Sequence, residues 1–234
     1  MLIKAQKFFY ENTKGIKIMS KIIRKNGAEE LFEVFLPKEA KQQIIPTVEE
    51  VLNWQETNDR RLVINEIVTE ELLFYNQLII QWNKEDYDNN ISIENRKPIR
   101  IYLNTYGGNV DPAMSLSNLI QISKTPVYIY NLGVCASAGV LIFLSGHKRF
   151  ALKGSKFLIH EGEIGLSGQS TKVMENLEAI KQQDKEIENY IISKTNIDKK
   201  LYNKNKKKEW WISTESKELG IVDAIIEDIE ETFK

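Results

Sequence analysis

Ser137 lies in the stretch whose residue types best fit nucleophilic chemistry. It stands within Gly133–Leu144, which has the sequence GVCASAGVLIFL. The preceding segment, Pro126–Leu132, alternates β-branched and aromatic side chains and predicts a buried strand, whereas the apolar run after Ser137 predicts a buried helix. A serine at this helix N-terminus lies beside unpaired backbone N–H groups, which can stabilise an oxyanion. The alternative is that Ser137 only caps a tightly packed helix.

The sequence contains two histidines that could act as the base for such a serine, His147 and His160. His147 lies in the turn Ser145–Lys148, and we expect it at the surface. His160 ends the apolar segment Lys156–His160 and precedes a glycine-rich loop, the kind of region in which active-site residues concentrate. His160 is the better candidate base, with a purely structural role as the alternative. Sequence separation alone does not establish a hydrogen bond to Ser137.

The segment Tyr106–Asn109 (YGGN) follows a predicted strand and offers a second set of backbone N–H groups. It could donate to an oxyanion, bind a phosphate or simply turn the chain. It matches neither the dinucleotide-binding fingerprint nor the phosphate-binding P-loop. One cysteine, Cys135, and two separated histidines give no cluster with metal-ligand spacing. The sequence therefore predicts no metal and no cofactor.

Composition excludes several further classes of function. The 234 residues include 32 basic and 33 acidic side chains, for a net charge of −1, which does not favour nucleic acid. We expect the lysine-rich stretch Lys199–Lys208 to be a solvated face. The sequence has no apolar run of membrane-spanning length, and its N-terminus lacks the features of a signal peptide. A single cysteine suits a reducing compartment, so we expect a cytoplasmic protein without membrane or nucleic-acid partners.

Predicted strands and helices alternate from residue 60 onward, which indicates an α/β fold with parallel strands. Residues 83–97 are polar and predict a loop. The predicted strands are Arg60–Ile67, Ile99–Leu103, Val127–Asn131, Arg149–Leu152, Lys156–His160 and Ile221–Glu227. The predicted helices are Thr69–Trp82 with Thr69 as N-cap, one ending near Ser123, one after Ser137, Thr171–Ser193, a short helix capped by Asp198, and Ser213–Leu219 closed by Gly220.

Residues 1–58 carry no evident chemistry. Ile16–Arg24 and Glu30–Leu36 predict short strands on either side of a turn at Lys25–Gly27. Thr47–Asn53 predicts the start of a helix. We expect an N-terminal extension that is an arm, an interaction segment or a tail.

The order of the motifs resembles the proteolytic subunit of the Clp protease (the ClpP family). The motifs in this chain are NTYGGNV, GVCASAGV, FLIHE, GLSGQST, and EWWIS followed by ELGIVD. The family patterns are SPGGxV, GxAASM followed by Gly or Ala, IMIHQP, a GQA loop, and an acidic DxF motif followed by a helix and YGLxD. The resemblance covers Arg60 to Ile226, and so divides the chain into an extension at residues 1–58 and a ClpP-like domain at residues 59–234. It implies stacked β-sheets of the ClpP/crotonase type, surrounding helices and a long handle helix from Thr171.

Carried onto this sequence, the resemblance implies Ser137 as nucleophile and His160 as general base. The backbone N–H groups of Gly108 and Ala138 would form the oxyanion hole. No residue is implied to bind a cofactor or metal.

The third member of the triad depends on the alignment. Aligning forward from Thr195 places Glu209 where the family has its aspartate, whereas aligning backward from Gly220 places Lys208 there. We prefer Glu209, because a histidine needs a carboxylate partner and because Ser213 then caps the last helix. Glutamate is one methylene longer than aspartate, so the imidazole must adjust its position.

The resemblance implies a serine endopeptidase that hydrolyses peptide bonds of unfolded polypeptides. The chain would assemble into heptameric rings, singly or as a tetradecamer, that enclose a chamber fed by an ATP-dependent unfoldase. ATP would be used only by that partner.

Two alternatives remain from the sequence. One is a catalytically weak or inactive ring subunit, because Asn104–Tyr106 and Glu161–Gly162 replace the family's NSP and QP and because the acid is ambiguous. The other is a crotonase-type enzyme acting on acyl-CoA, which serine and histidine at the family positions disfavour.

Overall fold

The computed structural model describes residues 9–13, 16–25, 28–35, 57–163 and 165–233. The chain divides into two compact units. One consists of Met1–Asp59 and Lys84–Ile91, and the other of Arg60–Asn83 and Ser92–Lys234. All of the candidate site residues belong to the second unit.

The first unit contains a three-stranded antiparallel sheet in the order β1–β2–β3. Its strands are β1 (Phe9–Thr13), β2 (Ile16–Lys25) and β3 (Ala28–Phe35). The pairing of β2 with β3 extends to Lys25 opposite Ala28, which agrees with the two strands predicted on either side of a turn at Lys25–Gly27. β1 is a strand that the sequence reasoning missed. The helix predicted at Thr47–Asn53 lies outside the described residues.

The second unit is an α/β structure with a largely parallel sheet, as the sequence predicts. The five strands β4, β5, β6, β7 and β10 lie in the order β10–β7–β6–β5–β4 and pair in parallel, whereas β8 pairs in parallel with β6 and antiparallel with β9. The strands are β4 (Arg61–Ile64), β5 (Ile99–Thr105), β6 (Val127–Ala136), β7 (Lys148–Leu152), β8 (Lys156–Ile159), β9 (Trp210–Ser213) and β10 (Ala224–Ile226). The α-helices are α1 (Leu73–Asp88), α2 (Val110–Ile122), α3 (Ala138–Ser145), α4 (Ser170–Lys194) and α5 (Lys199–Asn205).

The core lies along β5, β6 and α3. Ile101, Leu103 and Ile129 on the two strands are completely buried, and every residue of α3 is buried. This explains the unbroken apolar run after Ser137, because a helix buried on all sides has no polar face.

The predicted end of the first helix and the predicted extent of the last helix are wrong. The polar stretch from residue 83 is not all loop, since α1 continues to Asp88 and is supported there by an ion pair of 2.6 Å between Lys84 and Asp88, one helical turn apart. The helix predicted at Ser213–Leu219 is only a 3₁₀ turn, Lys217–Leu219, closed by Gly220 at φ +64°. Ser213 is the last residue of β9, and its hydroxyl accepts a hydrogen bond from the Glu215 N–H. The capping argument for Glu209 is therefore lost.

β6 changes its neighbour partway along its length. It pairs with β7 over Tyr128–Asn131 and then with β8 over Val134–Ala136. The buried Asn131 lies at this branch point, where its Nδ2 donates to the Lys156 carbonyl at 3.1 Å and its Oδ1 accepts from the Gly133 N–H at 3.1 Å. The side-chain amide thus satisfies backbone groups where the strand changes partner.

We predict that Asn131→Ala lowers the free energy of unfolding by about 1–3 kcal/mol, because it removes a completely buried side chain and leaves the partly buried Lys156 carbonyl and Gly133 N–H without this partner. Denaturant unfolding followed by circular dichroism measures this loss. The matched control is Asn95→Ala, at an exposed asparagine whose Nδ2 bonds to Ser92. It should change stability by about 0.5 kcal/mol or less. Equal losses in the two variants would contradict a structural role for the Asn131 amide.

Candidate active site

Ser137 forms the sharp turn between β6 and α3. Its backbone has φ +53° and ψ −124°, a conformation that non-glycine residues rarely adopt. Its N–H donates to the Leu158 carbonyl at 2.9 Å, and its own carbonyl accepts from Val140 at 3.0 Å. Strain of this kind, of order 1–3 kcal/mol, concentrates at active sites, and a strained serine between a strand and a helix is typical of a nucleophile elbow.

The Gly107–Gly108 segment packs directly against this turn. A Cβ added to Gly107 would lie 2.7 Å from the Ser137 Cβ and 2.6 Å from the Ala136 carbonyl oxygen, so only glycine fits. Gly107 also has φ +93°. Its N–H donates to the hydroxyl of the buried Thr105 at 3.0 Å, and Thr105 donates in turn to the Glu66 carbonyl at 2.5 Å. Gly107 is therefore held by close packing on the Ser137 turn and by its hydrogen bond to Thr105.

The two predicted oxyanion donors border the same turn. Ala138 is the first residue of α3, so its N–H has no acceptor within the helix. Around Gly108, Val68 donates to the Gly107 carbonyl at 2.9 Å and Asn109 donates to the Val68 carbonyl at 2.8 Å. Neither of these two hydrogen bonds of Val68 uses the Gly108 N–H. These N–H groups are the kind of donors that stabilise a tetrahedral oxyanion.

His160 follows directly after β8 and is half-buried. Ser137 and His160 line the same cavity, which has a volume of about 350 Å³ and whose apolar wall includes Leu141 and Ile159. Within the described part of the chain, no hydrogen bond joins the two side chains. Catalytic hydrogen bonds are often long before substrate binds, so this geometry is compatible with a serine–histidine pair.

The pairing of β8 with β9 relates the position of Glu209 to that of His160. The antiparallel pairing of β8 and β9 ends with Ile159 opposite Trp210. The register does not continue beyond this pair, because the Glu161 N–H donates to the Lys206 carbonyl at 2.8 Å instead of pairing with Lys208. His160 and Glu209 are therefore each adjacent to the last pair of the ladder, but the register does not fix their separation. Glu209 itself is exposed, and no hydrogen bond or ion pair connects it to His160 among the described residues. Its role in a triad stays a prediction.

The other histidine takes no part in the cavity. His147 is exposed, as expected, and its Nδ1 accepts a hydrogen bond of 2.9 Å from the Val127 N–H. Partial burial of the ring and the nearby charge of Lys194 lower its pKa, so at neutral pH the imidazole is an uncharged acceptor. His147 therefore has a structural role at the start of β6.

The sequence reasoning missed five charged or polar residues that line the cavity: Glu163, Gln183, Asp184, Tyr202 and Lys206. Burial, helped by the charges of Glu188, Asp184 and Glu161, raises the pKa of Tyr202 to about 12, so the phenol stays protonated at neutral pH. Lys206 lies in the stretch predicted to be a solvated face, yet only 22% of its side chain is exposed. The prediction was wrong for this residue, because α5 packs one side of that stretch against the cavity.

Cys135 lies two residues before Ser137 but offers no alternative nucleophile. It is completely buried, and burial raises the pKa of its thiol well above the usual value. Among the described residues, no cluster of three or more His, Cys, Asp or Glu side chains could hold a metal ion. No helix in that part of the chain is long and apolar enough to cross a membrane.

Comparison with known proteins identifies relatives of this arrangement. Residues 57–229 match the sequence model of the Clp protease family. The chain is 30% identical to the ATP-dependent Clp protease proteolytic subunit 2 of Treponema pallidum over 139 residues, which are 58% of this chain and 70% of that protein. It is 30% identical to the ATP-dependent Clp protease proteolytic subunit of Streptococcus uberis over 142 residues, 58% of this chain and 72% of that one. The fold is similar to that of a mutant ClpP1 from Listeria monocytogenes, with a TM-score of 0.64 and 24% identity over 78% of this chain and 99% of the other.

We predict that Gly107→Ala lowers the free energy of unfolding by about 2–4 kcal/mol, because the new methyl group overlaps the Ser137 turn and φ is positive. Gly154→Ala is the matched control, since Gly154 has φ +84° but a Cβ there would meet no atom within 4 Å. It should cost about 1 kcal/mol. Urea denaturation of both variants measures the difference, and equal losses would contradict the close packing of Gly107 on the serine.

Proposed function

The chain belongs to the Clp protease family, and we propose that it is a serine endopeptidase that cuts unfolded polypeptides. The observation that carries the proposal is the strained Ser137, held against Gly107 and lining one cavity with His160. The cavity, about 350 Å³ in volume, accommodates a short extended piece of peptide.

In the proposed mechanism, the Ser137 Oγ attacks the carbonyl carbon of the scissile bond. His160 accepts the hydroxyl proton as the oxygen–carbon bond forms, and then gives that proton to the nitrogen of the departing amine as the carbon–nitrogen bond breaks. The N–H groups of Gly108 and Ala138 donate to the oxyanion of the tetrahedral intermediate. Water, deprotonated by His160, hydrolyses the resulting acyl-enzyme and returns the proton to Ser137.

Glu209 would accept a hydrogen bond from the imidazole and hold it in the required tautomer. Its carboxylate and its place directly before Trp210, the residue paired with Ile159, support this role over Lys208.

The names of the relatives support the assembly part of the proposal, since they are proteolytic subunits of an ATP-dependent protease. We propose that this chain forms heptameric rings, singly or stacked in pairs, in the cytoplasm and receives substrate from an ATP-dependent unfoldase. A second candidate is an inactive ring subunit of the same fold. The exposed Glu209, without a bond to His160, is the observation that favours it.

Labelling with a fluorophosphonate, followed by intact-protein mass spectrometry, tests the nucleophile. We expect one adduct on the assembled wild-type protein and none on Ser137→Ala, because only an activated serine reacts. His160→Gln should slow labelling by at least about a hundredfold, since the general base is removed. Ser167→Ala, at an exposed serine of the nearby loop, should label like wild type. A folded wild-type protein that takes up no adduct would favour the inactive ring subunit.

The same assay distinguishes the two candidates for the third member of the triad. We expect Glu209→Gln to slow labelling by at least about tenfold, because the amide cannot stabilise the imidazolium as a carboxylate does. The neighbouring Lys208→Gln should stay within about twofold of wild type, since it would not face the imidazole. Equal labelling rates for wild type and Glu209→Gln would remove Glu209 from the mechanism.

A further inference from the structure

Lys206 connects three parts of the structure beside the candidate site. It caps the C-terminus of α5, and its backbone carbonyl accepts a hydrogen bond of 2.8 Å from the N–H of Glu161, the residue after His160. Its Nζ lies 3.5 Å from Glu188 Oε2 on α4 and 3.9 Å from Glu161 Oε1. We call Lys206, Glu188 and Glu161 the Lys206 bridge.

Glu188 fixes one end of this bridge. Only 9% of its side chain is exposed, and a buried carboxylate is costly unless cations and hydrogen bonds surround it. Burial alone would raise its pKa, but the hydrogen bonds from Lys199 and Asn203 and the charges of Lys199 and Lys206 outweigh it and lower the pKa. The carboxylate is therefore charged at neutral pH and holds the Lys206 ammonium on α4.

Tyr202 restricts Lys206 further. Tyr202 is 5% exposed, and the Lys206 Nζ lies 5.6 Å from the centroid of its ring, within the range of a cation–π contact. Only 22% of the Lys206 side chain is exposed, and it lines the cavity that Ser137 and His160 share. An ion pair with this little freedom can hold backbone atoms in place, unlike a solvated surface pair.

We propose that Lys206 is a positioning residue for His160. The Lys206 side chain connects the end of α5 to α4 through Glu188. The Lys206 carbonyl accepts from the Glu161 N–H and so restricts the backbone that follows His160. β8 supplies the restraint on the other side, because Ile159 is its last residue. Without the bridge, only β8 would restrain the His160 backbone, and the distance between the imidazole and the Ser137 hydroxyl would vary more widely. The kinetic consequence rests on the proposed protease function.

The test compares Lys206→Met with Lys199→Met. Both remove a lysine that contacts Glu188, but Lys199 is 76% exposed and neither lines the cavity nor contacts Glu161. We expect Lys206→Met to lower the limiting first-order rate of fluorophosphonate labelling by about tenfold, with the half-saturating probe concentration unchanged. Lys206→Arg should recover most of the rate, and Lys199→Met should label like wild type. Equal rates for the two methionine variants would overturn the inference.

A double variant separates positioning from the effect of an unpaired charge. Glu188→Gln with Lys206→Met leaves no buried carboxylate without its cation, so it protects against simple loss of folding. We expect it to label as slowly as Lys206→Met, because the bridge is still absent. Recovery of the wild-type rate would show that Lys206→Met labels slowly only because Glu188 has lost the Lys206 cation, and would overturn the inference.

Hydrogen exchange at the Glu161 amide gives a readout that does not need catalysis. We expect exchange to be faster in Lys206→Met than in wild type, and to return toward the wild-type rate in Lys206→Arg. If wild type labels but this amide exchanges equally in all variants, the inference fails and the protease proposal stands. If wild type does not label, the protease proposal fails, and faster exchange in Lys206→Met alone still supports the bridge.

Discussion

The branch in β6 is the constraint on which the site depends. A single strand pairs first with β7 and then with β8, and the Asn131 amide fills the gap between the two ladders. Because β8 joins the sheet at the far end of β6, the residues that follow the two strands, Ser137 and His160, leave the sheet side by side. A sheet without this branch would keep β7 beside β6 and leave no place there for His160.

The Ser137 turn adds a second constraint, which is steric rather than topological. A non-glycine residue at positive φ persists only where its surroundings hold it, and here the buried α3 on one side and the glycine segment on the other do so. The same packing that strains the serine also brings the Gly108 region next to it. Strain and a candidate oxyanion hole are thus two results of one close approach between β5 and β6.

Local features were predictable from the sequence, whereas features set by distant contacts were not. Asp198 caps α5 as predicted, accepting from the Leu201 N–H, and Thr69 accepts from the Glu71 N–H, although it caps a 3₁₀ turn, Glu70–Leu72, that precedes α1 rather than α1 itself. Capping is predictable because it depends on a few adjacent residues. The turn at Ser137 was predictable for the same reason. The continuation of β6 to Ala136 was missed, because its last residues are small and are stabilised by pairing with β8 rather than by strand propensity.

The burial of Lys206 shows the same limit. A run of lysines predicts solvent exposure on composition, and only the packing of α5 on α4 places one of them beside a buried glutamate. The choice between Lys208 and Glu209 depends on strand register, which a sequence alignment with a movable gap does not fix. The α/β fold and the choice of Ser137 and His160 as candidates thus follow from pattern and motif order, while the other residues that line their shared cavity follow from three-dimensional contacts.

The complete burial of α3 has a consequence for how the two halves of the site open. Regions whose residues are all buried unfold only with the whole domain, whereas exposed segments open by local fluctuations of much smaller free energy. Ser137 belongs to the first kind, since it is joined to the core helix. Glu161 is exposed but held by the hydrogen bond from its N–H to the Lys206 carbonyl, whereas the described residues after it, Gly162 and Glu163, are exposed and belong to the second kind. The Ser137 side of the cavity therefore keeps its shape, whereas the part of the cavity wall that begins at Gly162 can change shape at a much smaller cost in free energy.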